Sequence, residues 1–221
     1  MRLFKARITW FLLANLLLLS NCAHQAPATI PVDVVSLIRA SIVRITVQTA
    51  MGEGACTGWA ISARMYVTAD HCTPGKAEWD YRIDGHKAFV LKADGVTDLA
   101  LVMTDIDKPL LSLREAPLTV GEGVRAFGYA YGFLEPIVLS LQTQILDYTL
   151  EKGIYPGTIF TPGVIGGMSG GPIVDAQGRI VGIVQRGSVM IAYGVTNKTL
   201  REFIYYHQGV KHGPDHKFRS Y

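Results

Sequence analysis

From Ile42 to Val195 the chain runs in short strand-like bursts broken by turn residues, and this rhythm constrains its fold more than any other feature. Ile42-Val43-Arg44-Ile45-Thr46-Val47 alternates with a period of two. Thr57 to Ile61 and Met65 to Thr68 follow, separated by a Ser-Ala-Arg turn, and then come Lys87 to Leu91 and Leu99 to Met103. Pro109 to Pro117 reads as a connection. A second series begins near Val120 with Val124 to Tyr129, Ile137 to Leu150, Thr158 to Thr161, Pro172 to Asp175, Ile180 to Gln185 and Met190 to Val195. Gly, Pro and Asp punctuate both series. Many short strands with such turns predict an all-β sandwich or barrel and argue against βαβ units. Two segments break the rhythm. Val32 to Ala40 reads as a short helix with Asp33 near its start, and in 197–206 the residues Leu200, Phe203 and Ile204 recur at helical spacing behind Asn197, a capping residue.

The ends of the 221-residue chain are different in kind. Arg2, Lys5 and Arg7 precede an almost wholly apolar run from Ile8 to Leu19. That pattern predicts an export signal over 1–21, and the run is short for a membrane span. Setting it aside removes three of the 21 Lys and Arg and none of the 18 Asp and Glu, so the remaining body is formally neutral. No clustered basic face is written into it, so nucleic acid is not an expected partner. Leu19-Ser20-Asn21-Cys22 resembles the lipobox of bacterial lipoproteins, with Asn21 where a small residue is usual. Lipidation of Cys22 would give membrane attachment; cleavage after Ala23 or Ala28, or an uncleaved anchor, are the alternatives. Residues 22–31 read as a tether, 32–207 as one domain, and 208–221 as a polar tail.

Three motifs carry chemistry: Val-Thr-Ala-Asp-His-Cys at 67–72, Asp-Leu-Ala-Leu-Val at 98–102, and Gly-Gly-Met-Ser-Gly-Gly-Pro at 166–172. They supply a histidine, an aspartate at the mouth of an apolar strand, and a serine flanked by glycines. A serine hydroxyl is a poor nucleophile without a base in hydrogen-bond reach. Imidazole is suited to that task because its ordinary pKa lies near neutrality. A carboxylate behind the ring fixes its tautomer and stabilises the imidazolium. The reading is therefore Ser169 as nucleophile, His71 as base and Asp98 as orienter. Asp94 is a rival for the last role, but Asp94-Gly95 reads as a turn. His24, His86, His207, His212 and His216 lack a comparable setting.

The order His, Asp, Ser and these three motifs resemble the trypsin-like (chymotrypsin-fold) serine proteases, in the style of compact bacterial and DegP-like protease domains, over about 40–205. The resemblance implies two six-stranded antiparallel β-barrels packed together, about 40–116 and 117–196, with a short C-terminal helix at about 197–207. It implies that the N–H groups of Gly167 and Ser169 form an oxyanion hole. It also implies that Cys56 and Cys72, 16 residues apart, form the disulfide that fastens the histidine loop. Export supplies the oxidising compartment for such a bond, and closing that loop is worth roughly 3 kcal/mol.

Three departures from the family matter. Asp70 stands where alanine is usual; its carboxylate either raises the basicity of His71 or faces solvent. Met168 replaces the aspartate that pairs with a new N-terminus in digestive relatives, so activation by that ion pair is not expected. No acidic residue falls at the base of the primary pocket, near Gly163 and Val164, with Gln185, Arg186 and Gly187 along one wall; a small or medium apolar side chain before the scissile bond is expected. Arg186 is either a solvated strand-end charge or a partner for an acidic substrate group. No His-Glu-x-x-His pattern or cysteine ligand spacing is present, so neither metal nor cofactor is expected. Too few residues follow 205 for a PDZ-like module. The resemblance implies a serine endopeptidase acting on protein or peptide. A silent protease-like binding or adaptor module at the membrane is the alternative, and the sequence leaves the oligomeric state open.

Overall fold

Alternation decides which side of each strand faces inward, and here it sorts apolar residues into three clusters. The protein is seen in a computed structural model that describes residues 30–49, 52–74, 79–130, 137–147, 157–161 and 163–207. The export segment, Cys22, most of the tether and the 208–221 tail lie outside the described residues.

A helix, α1 (Val32–Ser41), leads directly into β1 (Ile42–Thr49). Then come β2 (Gly52–Ser62), β3 (Met65–Thr68), a single 3-10 turn (Asp70–Cys72), β4 (Asp80–Ile83), β5 (His86–Asp94) and β6 (Leu99–Met103). These six strands close into a barrel in the order β1-β2-β3-β6-β5-β4. Pairing is antiparallel throughout, and closure comes from β1 against β4, with Ile45 opposite Ile83. The connection 104–122 carries only an isolated bridge, between Leu113 and Ile180. The second barrel contains β7 (Gly123–Ala130), β8 (Ile137–Asp147), β9 (Gly157–Thr161), β10 (Pro172–Val174), β11 (Ile180–Gly187) and β12 (Ala192–Thr196). Its order is β10-β11-β12-β9-β8-β7, closed by β10 against β7. The final helix, α2 (Asn197–His207), follows β12 without a gap.

Val43, Ile45, Val47, Tyr66, Ile83 and Val102 fill the first barrel. Val124, Ile145, Phe160, Met168, Val181 and Val184 fill the second. The seam between them takes the opposite faces of the same strands. Trp59, Leu99 and Leu101 from the first barrel meet Phe127, Ile180 and Ile183 from the second, and Ile38 of α1 and Leu200, Phe203 and Ile204 of α2 complete the cluster. On β6 the period-two rule is plain: Leu101 faces the seam and Val102 the barrel interior. The expected two-barrel architecture and C-terminal helix are both observed. One strand escaped the sequence reading: β4, whose Asp-Tyr-Arg-Ile carries only two apolar residues, both buried.

Candidate active site

His71 lies in the 3-10 turn that follows β3, and its neighbour Cys72 is bonded to Cys56 on β2 with a Cα–Cα separation of 6.0 Å. The turn is thus tied at both ends, by a strand ladder and by a covalent bond. Asp98 stands at the entrance of β6 with a left-handed backbone, φ 53°. That conformation is uncommon outside glycine, although aspartate tolerates it better than most residues. Its carboxylate accepts three contacts from one residue. Oδ1 accepts from the His71 backbone N–H at 3.0 Å, while the ring Nδ1 lies 3.0 Å from Oδ1 and 2.9 Å from Oδ2. With Nδ1–H donating to the carboxylate, Nε2 is the ring nitrogen that can accept a proton. The aspartate side chain is 6 % exposed and the histidine 43 %, so the pair has a buried end and an open end. Burial pushes the Asp98 carboxyl up, but the ring and backbone hydrogen bonds from His71, with the positive ends of His71 and Arg186, outweigh it and hold the group below its ordinary value.

The surrounding charges are not neutral bystanders. Asp94 behaves as a turn residue, accepting from Val96 N and from the Thr97 hydroxyl. Asp70 is half-buried, and its carboxyl is raised by burial and by the nearby Asp98 and Asp94 carboxylates, with His71 pulling the other way. It is therefore not simply a solvated charge. Arg186 is 60 % exposed, with Nη2 3.9 Å from Asp98 Oδ2, and so does more than end a strand.

Ser169 belongs to the other barrel and to a turn rather than a strand. Its hydroxyl donates to the Gln185 carbonyl at 2.9 Å, and no hydrogen bond joins it to His71. The turn is held by Gly170 N to Val184 O at 2.7 Å and by Gly171 N to Met168 O at 2.9 Å. Met168 is fully buried in the second barrel, where it packs as a core residue. Gly170, at φ 81°, could carry no side chain: a Cβ would lie 2.1 Å from the Thr57 carbonyl oxygen. Among the described residues, no protein acceptor takes the N–H of Gly167 or of Ser169.

Thr57, on β2, was not singled out by the sequence. Its N–H donates to the Ser169 carbonyl at 2.8 Å, and its hydroxyl donates to the Gly167 carbonyl at 2.8 Å. The other side of that hydroxyl accepts the Tyr129 N–H at 2.8 Å. The signal was faint, a threonine directly after a disulfide cysteine. Gln185 also reaches further than expected: its side-chain Nε2 donates to the carbonyl of Thr97, the residue before Asp98, at 2.7 Å.

Gly163 and Val164 meet the β11–β12 loop backbone to backbone. Gly163 N donates to Val189 O at 3.0 Å and Val164 N to Ser188 O at 2.8 Å. A Cβ on Gly163 would fall 1.8 Å from the Ser188 oxygen. On the far side, Gly187 faces Ala192, whose Cβ would lie 2.5 Å from a Cβ at Gly187. Among the described residues, Cys56, His71 and Cys72 place their ligand-type atoms within 4.8 Å of one another. The two sulfurs are bonded to each other, so they offer no thiolate.

The family profile of the trypsin-like peptidase domain matches residues 56–183. The chain belongs to that family. This trypsin-like peptidase domain is 34% identical, over 134 residues and 58% of its length, to a probable periplasmic serine endoprotease of the DegP-like type from Halomonas elongata. It spans 28% of that relative's length. Among solved structures it resembles the active form of the Rv3671c protease of M. tuberculosis, with TM-score 0.67 and 20% identity over 81% of this chain and 85% of that one. It also resembles a serine endoprotease from Yersinia pestis, with TM-score 0.66 and 16% identity over 82% of this chain and 68% of that one. Those two likenesses are likenesses of fold.

Proposed function

We propose that this trypsin-like peptidase domain is an exported serine endopeptidase that cleaves protein or peptide bonds through an acyl-enzyme on Ser169. One observation carries the reading. A half-exposed imidazole has its Nδ1 engaged by a buried carboxylate, its neighbour Cys72 places Sγ 3.9 Å from the Ser169 carbonyl oxygen, and among the described residues no protein acceptor takes the Gly167 or Ser169 N–H of that glycine turn. The Ser169 hydroxyl turns about χ1 from the Gln185 carbonyl toward His71 Nε2. It attacks the substrate carbonyl as its proton passes to Nε2. The carbonyl oxygen becomes an oxyanion and accepts hydrogen bonds from the Gly167 and Ser169 N–H groups. His71 then gives the proton to the leaving amine. A water, deprotonated by the same ring, attacks the ester and releases the acid. Asp98 keeps the tautomer and offsets the imidazolium charge throughout.

The closed floor of backbone at Gly163, Val164 and Ser188, with Gly187 on one wall and Gln185 and Arg186 beside it, supports a preference for a small or medium apolar residue before the scissile bond. The probable periplasmic character of the Halomonas relative supports export, with Cys22 as the lipidated residue when the signal is removed there.

A second reading has its own observation: the Ser169 hydroxyl rests on Gln185 rather than on His71. Under it the domain is a silent binding module. Catalytic hydrogen bonds are often long or misaligned without substrate, so the resting contact does not by itself favour silence. Intact mass after fluorophosphonate treatment of the full chain and its Ser169→Ala variant decides between them. One adduct on the wild type alone establishes an activated serine. No adduct on a folded protein leaves the binding module.

A further inference from the structure

The serine turn is unlike the rest of the second barrel. Gly167 and Ser169 have no strand partner, and a glycine at φ 89° lacks the Cβ that would oppose rotation of its peptide groups. Something outside the turn must hold these groups. Residue 57, from the other barrel, holds two of the turn's carbonyls, with its N–H on Ser169 and its hydroxyl on Gly167.

The hydroxyl has no freedom to do otherwise. Thr57 is fully buried, and Tyr129 N–H donates to Oγ1 at 2.8 Å, which turns the hydroxyl proton away from Tyr129 and onto the Gly167 oxygen. The Thr57 carbonyl in turn accepts the Thr68 hydroxyl at 2.7 Å, so every polar atom of the residue is in use. Thr68 is the last residue of β3, three positions before His71. A short chain of bonds thus runs from the strand that delivers the base to the turn that delivers the nucleophile.

We propose that Thr57 is a positioning residue for the oxyanion site: by gripping the Gly167 carbonyl, its hydroxyl fixes the Gly167–Met168 peptide that lies between the Gly167 and Ser169 N–H groups, and so keeps those two groups convergent. The inference rests on the reading of Ser169 as nucleophile. Thr57 does not touch substrate; it acts through the orientation of one peptide. Loss of a direct oxyanion donor costs about 10²–10³ in rate. Loss of the group that aims it should cost less, about 10- to 10²-fold on the same scale.

The test uses the full chain, its Thr57→Val, Thr57→Ala and Thr57→Ser variants, and a fluorophosphonate as probe. Valine keeps the shape and removes the hydroxyl; alanine removes both, and serves if valine disturbs folding; serine restores the hydroxyl on a smaller side chain. Saturation kinetics separate reversible binding from the acylation step. The expected result is an acylation constant lowered about 10- to 10²-fold in Thr57→Val and Thr57→Ala, unchanged probe binding, and recovery to within about threefold in Thr57→Ser. Crystal structures of the variants should show the Gly167 carbonyl turned away without the hydroxyl and held with it. Acylation in Thr57→Val and Thr57→Ala within twofold of wild type overturns the proposal. So does a Thr57→Ser variant as slow as the other two, since side-chain volume would then be the cause. If the wild type itself is inert, the endopeptidase reading fails, and the Gly167 carbonyl in the Thr57→Val crystal still decides this one: turned, the grip is real; unmoved, it is not.

Discussion

The two barrels share a strand count and a closure, yet they hold their functional groups in opposite ways. The first barrel locks its pair internally. His71 is held by the β3 ladder and the Cys56–Cys72 bond, and Asp98 by the start of β6 and by the His71 backbone. The second barrel holds its serine on a turn whose restraints come partly from its own β11 and partly from Thr57 across the seam. The histidine–aspartate side is preassembled by its own barrel, whereas the serine side is completed only by docking. On the proposed function, activity reports on the seam as much as on the three side chains.

The largest effects should come from breaking either half. Ser169→Ala and His71→Ala are each expected to lower turnover by about 10⁴- to 10⁶-fold, and the double variant should lose little more, because the two act as a unit. A double variant far worse than either single, measured as kcat/KM on a peptide ester, would show the halves working independently. Asp98→Asn should cost about 10⁴-fold through the wrong tautomer. It should also flatten the acid limb of stability. The Asp98 carboxyl is depressed in the fold, so its contribution is present above the ordinary carboxylate value and is lost as pH falls through the depressed one. Urea midpoints of wild type and variant at pH 7 and pH 3 check this; the gap between them should be wider at pH 7.

Next in size are changes to the restraints. Gly170→Ala forces a Cβ against the Thr57 carbonyl from a left-handed backbone, and a loss of about 3 kcal/mol or more is expected in chemical denaturation. Because the clash lies in the seam, fluorophosphonate labelling should fall with stability. Reduction of Cys56–Cys72 should cost about 2–3 kcal/mol and slow labelling by loosening the base while leaving the serine turn in place. Equal labelling before and after reduction, in a protein shown by mass to be reduced, would remove the bond from the list of restraints on His71. The smallest effect belongs to Asp70. Its carboxyl is raised in the fold, so its contribution is full below the ordinary carboxylate value and is lost as pH rises through the raised one. Asp70→Asn should therefore raise Tm slightly at pH 7 and not at pH 3, as differential scanning would read directly.

The same asymmetry explains what the sequence could reveal. Strands were legible where apolar residues alternate, as in Ile42 to Val47, or run unbroken, as in Leu99 to Met103, and α2 was legible because Leu200, Phe203 and Ile204 share one face. The short β4 was not, with two apolar residues and a charged neighbour at each step. His71, Asp98 and Ser169 stood out because their local motifs are distinctive. Thr57 did not, because a threonine in a strand is ordinary and its hydroxyl reaches a carbonyl 110 residues away. Neither the left-handed backbone of Asp98 nor the approach of Arg186 to its carboxylate leaves a local mark in the sequence. Groups fixed by neighbours in sequence can be read from it; groups fixed across a seam need coordinates.

The meeting of Gly163 with Ser188 sets a limit on redesign. On the proposed reading, in which Gly163 and Val164 floor the primary pocket, a charge cannot be installed by substituting the floor residue, because a Cβ at Gly163 already collides with an oxygen 1.8 Å away. An engineer who wants this scaffold to accept lysine or arginine would first have to lengthen the 188–191 loop and let it swing outward, and only then place an acid beneath the space so opened. On that reading, loop length, rather than the identity of any one lining residue, is the first variable in retuning the scaffold's preference.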